Sequence, residues 1–132
     1  KQGITIINDC YNANYDSMKA AIEYLGKINA NSKIAVLGDM LELGEFSKTL
    51  HEKVGEEVAR NNIDILITVG EESKKIADKA NEEGLQIEKI HVCVDNNEAI
   101  KIIKKIAKKG DAILLKASNG LNFQEIFNEI CE

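Results

Sequence analysis

Apolar positions along the chain fall into two alternating rhythms, short unbroken runs and one-sided stripes. The runs at Ile4 to Asn8, Ile34 to Leu37, Ile63 to Val69, Ile90 to Val94 and Ala112 to Leu115 are rich in β-branched residues and read as five strands. Between them lie stripes at helical spacing. Asp16 to Lys27 carries Met18, Ala21, Ile22 and Leu25 on one face, with Asp16 or Ser17 as the expected cap. Ser47 to Asn61 carries Leu50, Val54, Val58 and Ala59, and Glu72 to Glu83 stops at Gly84, a residue suited to a helix C-terminus. Glu98 to Lys109 carries Ile102, Ile103 and Ile106 and stops at Gly110, and Asn122 to Ile130 forms the last helix.

Strands that are apolar throughout are covered on both faces. Their alternation with helices of roughly 10 to 15 residues predicts βαβ crossovers and a parallel sheet. Ligands of such sheets bind beyond the carboxyl ends of the strands. That rule selects five loops: Asp9 to Tyr15, Gly38 to Glu45, Gly70 to Glu72, Asp95 to Asn97 and Lys116 to Gly120.

Composition narrows the class. The 132 residues suit one domain, with 44% hydrophobic residues for its core and 30% charged residues for its surface. A net charge of -5 argues against a nucleic-acid partner, which needs a basic patch. No apolar run approaches the roughly 20 residues that span a bilayer, and no signal-peptide pattern opens the chain. Cys10, Cys93 and Cys131 are far apart and odd in number. They read as reduced, buried thiols of a cytoplasmic protein rather than a disulfide or zinc framework. The chain starts at Lys1, with a strand pattern three residues later, as expected of a domain taken from a longer protein.

Three of the five loops carry candidate chemistry. The first, Asn8-Asp9-Cys10-Tyr11-Asn12-Ala13-Asn14-Tyr15-Asp16-Ser17, has no glycine and is no dinucleotide loop. Its amides suit a base edge or sugar hydroxyl, and Tyr11 or Tyr15 suits stacking on a flat ring. An ordinary turn and N-cap cluster fits the same residues equally well. In the second, Gly38-Asp39-Met40-Leu41-Glu42-Leu43-Gly44-Glu45, acids that suit an ammonium group or magnesium-bound water compete with a plain solvated loop capping the next helix. In the third, Lys116 leaves a strand at the ligand edge, as an anion contact or as a lysine reaching for water, beside Ser118 and Asn119. His51 and His91 have no partners at metal spacing and read as structural, His51 lying near the second loop. The chain contains no GxxxxGK[ST], HExxH or Ser-His-Asp arrangement.

Three segments in order, Ile6 to Asn14, Val36 to Glu45 and Leu115 to Ser118, resemble the C-terminal domain of the Mur ligases that add D-alanyl-D-alanine. The family pattern D-x-Y-N-A-N-P-x-S-M is matched by Asp9, Tyr11, Asn12, Ala13, Asn14, Ser17 and Met18. The pattern L-G-D-M-x-E-L-G, followed by a histidine, is matched at Leu37 to Gly44 and His51. The chain departs from the pattern at Tyr15, where the family has proline, and at Ala117 and Asn119, where it has glycine and arginine.

The resemblance implies a three-layer α/β/α Rossmann-like sandwich over residues 1–132, with a mainly parallel five-stranded sheet and the family's antiparallel edge strand truncated. It implies the third domain of a monomeric enzyme that joins D-alanyl-D-alanine to UDP-N-acetylmuramoyl tripeptide through an acyl phosphate. ATP and Mg2+ would be held mainly by a central domain, next to an N-terminal domain that holds the UDP sugar. On this reading Asp9, Tyr11, Asn12 and Asn14 approach the nucleotide, and Asp39, Glu42, Lys116 and Ser118 approach the substrates. No catalytic or metal-binding residue is expected in this domain, and alone it should be inactive. The rival readings are a receiver-like signalling domain and a stand-alone small-molecule binding module.

Overall fold

The structure is a computed structural model that describes residues 3–9 and 13–131, with Asn119 as backbone only. Strands β1 (Thr5–Asn8), β2 (Lys33–Gly38), β3 (Ile65–Val69), β4 (Ile90–Cys93) and β5 (Ala112–Lys116) form one sheet in the order β1-β5-β2-β3-β4. Every pairing among them is parallel. Helices α1 (Tyr15–Lys27), α2 (Ser47–Arg60), α3 (Lys74–Glu82), α4 (Asn96–Ile106) and α5 (Gln124–Ile130) complete the alternation.

Alternate residues of each strand feed opposite cores. Ala35, Leu37, Leu66 and Leu114 pack with Ile22 and Leu25 of α1, Val54 and Val58 of α2 and Ile76 of α3. Ile34, Val36, Ile67, Ile113 and Leu115 pack with Ile103 of α4 and Ile126 of α5. The three expected layers follow directly from this period-two division. The first three crossovers step one way along the sheet over one face, and the fourth returns over the other to place β5 between β1 and β2. A single hand of crossover produces both moves.

Helix boundaries differ from the sequence reading where a side chain supplies the cap. Asn14, rather than Asp16 or Ser17, caps α1: its side-chain oxygen accepts from the Ser17 N–H at 2.8 Å, and the Ser17 hydroxyl accepts from the Asn14 N–H at 3.0 Å. Asp95 caps α4, which starts at Asn96, two residues before the expected Glu98, and ends early, at Ile106. The Asp111 carboxylate takes the Lys108 N–H at 2.8 Å and turns the chain there.

Gly55 looks misplaced inside α2, where glycine costs about 1 kcal/mol against alanine. A Cβ there would stand 2.5 Å from the Ile76 carbonyl oxygen, so its absence lets α3 lie directly against α2.

Of the cysteines, Cys93 is buried as expected, and burial pushes its thiol up to about 11, with Glu98 and Asp95 adding to the effect. Cys131 departs from the expectation and is exposed beyond the end of α5. Cys10 lies outside the described residues. No helix among the described residues is long and apolar enough to cross a membrane.

Candidate functional site

The return of β5 between β1 and β2 brings three of the five selected loops side by side at the carboxyl edge of the sheet. A doubly wound fold opens its ligand crevice at such a reversal.

At the β1–β5 boundary the Asp9 N–H donates to the Leu115 carbonyl at 3.0 Å. The next residue on β5 is Lys116, only 1% exposed, whose Nζ lies 3.0 Å from Asp9 Oδ2. The sequence left open whether this lysine reaches water or an anion. The structure turns it inward onto the carboxylate of Asp9, which stays 44% exposed. The expected nucleotide contact and the expected substrate contact therefore form one ion pair.

At the β2–β5 boundary the chain past Gly38 is pinned on both sides. The Asp39 carbonyl accepts from the Ser118 N–H at 3.1 Å, and the Ser118 hydroxyl oxygen accepts from the Leu41 N–H at 2.8 Å. Between them the Met40 N–H donates to Nε2 of the fully buried His51 at 3.0 Å. Glu42 follows, exposed, with a φ of 63°. That left-handed conformation is uncommon outside glycine and clusters at functional sites.

Asp39 does not face outward as an ammonium-binding carboxylate would. It is 8% exposed, and Oδ1 accepts from the Ser73 N–H at 2.7 Å at the start of α3. A carboxylate is well placed there, against orphan N–H groups and the positive end of the helix dipole.

Beside it, the Ser47 hydroxyl donates to Glu72 Oε1 at 2.6 Å, and Lys75 Nζ lies 3.0 Å from the same oxygen. The Ser47 bond first, then the Lys75 bond, hold the Glu72 carboxyl below its ordinary 4.5. A carboxylate depressed in the folded state adds stability that is present above the unfolded value and lost as pH falls through the folded one. Ser47→Ala should therefore destabilise the chain most above about pH 5. The gap to wild type should narrow as the medium becomes more acidic, which urea titrations at a series of pH values will show.

In the first loop, Asn14 has its side-chain oxygen committed to the α1 cap. Tyr15 is not a free stacking surface. Its hydroxyl donates to Glu57 at 3.2 Å, and Lys53 Nζ stands 5.4 Å from the ring centroid. Burial first, then the Glu57 carboxylate, raise its phenol above 10.0. Tyr11 and Asn12 lie outside the described residues.

Thus Asp9, Asp39, Lys116 and Ser118 are brought together by direct contacts between adjacent loops, with Glu42 at the outer rim. Sequence reasoning undervalued His51. Its spacing from the second loop was the available signal. Among the described residues, no three His, Cys, Asp or Glu side chains could hold a metal ion. An apolar groove of about 330 Å³, lined by Ile4, Ile6, Ile103 and Ile113 among others, lies beside the starts of β1 and β5, away from these loops.

These features define a doubly wound α/β domain with a cluster of polar groups on the loops after β1, β2 and β5. The sequence profile described as "Mur ligase, glutamate ligase domain" matches residues 1–119, and the chain belongs to that family. It is 37% identical over 131 residues to a UDP-N-acetylmuramoyl-tripeptide–D-alanyl-D-alanine ligase of Bacillus subtilis, a match covering 98% of this chain and 28% of that protein. A ligase of the same name from Rickettsia prowazekii is 35% identical over 127 residues, covering 95% of this chain and 27% of that one. Among solved structures, a MurF ligase from Thermotoga maritima in complex with ADP superposes with a TM-score of 0.80 at 31% identity, covering 98% of this chain and 28% of that chain. The chain thus spans little more than a quarter of each of these three ligases.

Proposed function

We propose that residues 1–132 form the C-terminal domain of an ATP-dependent ligase that joins D-alanyl-D-alanine to UDP-N-acetylmuramoyl tripeptide in peptidoglycan synthesis. The observation that carries this reading is the cluster of polar groups at the carboxyl edge of β1, β5 and β2. Its polar groups lie on the loops that match the ligase pattern, in a chain whose relatives bear that activity in their names. The domain contributes binding surface rather than chemistry. It has no phosphate loop, and one open cluster neither excludes water nor positions two substrates. ATP and Mg2+ belong mainly to a central domain and the UDP sugar to an N-terminal one, in a monomeric cytoplasmic enzyme.

Within this domain Asp9, Tyr11, Asn12 and Asn14 line the approach to the nucleotide. Lys116 holds the Asp9 carboxylate from beneath, and beside them the Ser118 hydroxyl, which accepts from the Leu41 N–H, keeps its own proton for a substrate carboxylate. Glu42, exposed at the rim, is the acid best placed to take the dipeptide ammonium. Asp39 faces away from it, onto the Ser73 N–H at the start of α3. The receiver-like alternative lacks an acceptor, because β3 ends at Val69 and passes into Gly70.

The residue assignment is tested in the full-length ligase. Glu42→Gln should raise the KM for D-alanyl-D-alanine about tenfold, the size of one charge-assisted contact, with little change for ATP. Asn14→Asp keeps the helix cap while removing the amide donors, and should raise the KM for ATP instead. An unchanged dipeptide KM in the Glu42 variant would remove that residue from the site.

A further inference from the structure

His51 is fully buried, yet it belongs to none of the groups placed in the cluster. Its two ring nitrogens have different partners, which fixes its tautomer. A backbone N–H only donates, so Nε2, 3.0 Å from the Met40 nitrogen, must accept and carries no proton. The proton is then on Nδ1, which lies 2.7 Å from the Ser47 carbonyl oxygen and 3.2 Å from the Ser47 hydroxyl oxygen. The carbonyl at the start of α2 thus orients the ring, and the ring holds the backbone of the loop after β2.

The consequence falls on Glu42. The two residues before it have both N–H groups taken, Met40 by His51 and Leu41 by Ser118, and the Asp39 carbonyl is taken as well. The chain then turns through the left-handed region at Glu42, and Gly44 follows with a φ of 58°. A non-glycine residue keeps that conformation only where its surroundings impose it. On one side those surroundings are Ser118, already in the cluster. On the other side, among the described residues, His51 makes the grip.

We propose that His51 is a positioning residue for the amine substrate: through Met40 it fixes where Glu42 is presented. It touches no substrate. This inference rests on the ligase reading and deepens it.

Two substitutions separate the functions of the two nitrogens. A glutamine side chain places a polar atom where Nε2 stands and can still accept from the Met40 N–H. An asparagine reaches only as far as Nδ1, so it can still donate to the Ser47 carbonyl but loses Met40. In the full-length ligase, His51→Asn should raise the KM for D-alanyl-D-alanine roughly tenfold, the net worth of one hydrogen bond, while the KM for ATP stays within about twofold. His51→Gln should lie near wild type on both. Equal effects of Asn and Gln, or a loss shared equally by dipeptide and ATP, would show that the ring only fills space and would overturn the proposal. A wild-type enzyme with no dipeptide dependence would instead sink the ligase reading. The tautomer is checked separately on this chain, whatever the variants do. Nitrogen-15 NMR of the wild type should find the His51 proton on Nδ1, and a proton on Nε2 would refute the grip.

Discussion

Asp9→Ala should destabilise the chain by about 3 kcal/mol, whereas Lys116→Met, at the other end of the same ion pair, should cost only about 1 kcal/mol. The asymmetry comes from where each charge lies. Lys116 is 1% exposed, so removing Asp9 takes the carboxylate away from a cation that water cannot reach. Asp9 is 44% exposed, so removing the lysine leaves a carboxylate that water solvates readily. Methionine also fills most of the volume of the lysine stem among the apolar residues around β5. Urea denaturation of the three proteins at neutral pH measures both values. Equal costs would mean that the difference in burial between the two charges does not set the size of the loss.

Gly70→Ala should cost about 3 kcal/mol, more than an exposed loop substitution ordinarily does. Two effects add at this position. The φ of +114° lies where side-chain-bearing residues rarely go, and a Cβ would stand 2.6 and 2.7 Å from the two carboxylate oxygens of Asp39. The carboxylate would have to leave the Ser73 N–H, its partner at 2.7 Å. The two sites are therefore coupled. In an Asp39→Ala background the same substitution should cost about 1 kcal/mol less, because the clash and the broken bond are already gone. Strict additivity of the two variants in denaturant titrations would contradict this geometry.

Strand and helix types, and the loops that gather at the carboxyl edge, were legible because burial on two faces leaves runs such as Ile34 to Leu37 that polar residues do not interrupt. Helix starts were less so. The α1 cap depends on Asn14 reaching forward three residues, and several residues of that loop could equally have done so. The least legible feature was the orientation of the polar groups. Asp39 finds Ser73, 34 residues away, and Lys116 finds Asp9, 107 residues away. A sequence shows that an acid or a lysine stands at a strand end. Whether it turns inward depends on partners that only the sheet order brings close. The placing of β5 between β1 and β2 decided it for Lys116 and Ser118, and the pairing of β2 with β3 decided it for Asp39. His51 was hidden for the same reason, since its partner is a backbone N–H and leaves no mark in composition.

On the proposed function, this domain completes a site in which a dipeptide amine attacks an activated tripeptide. Phosphate release by the full-length protein, given ATP, magnesium and UDP-N-acetylmuramoyl tripeptide with and without D-alanyl-D-alanine, tests it most directly. Release that depends on the dipeptide, and is abolished when residues 1–132 are deleted, is the result expected. Release indifferent to the dipeptide, or surviving the deletion, would show that the domain completes no such site.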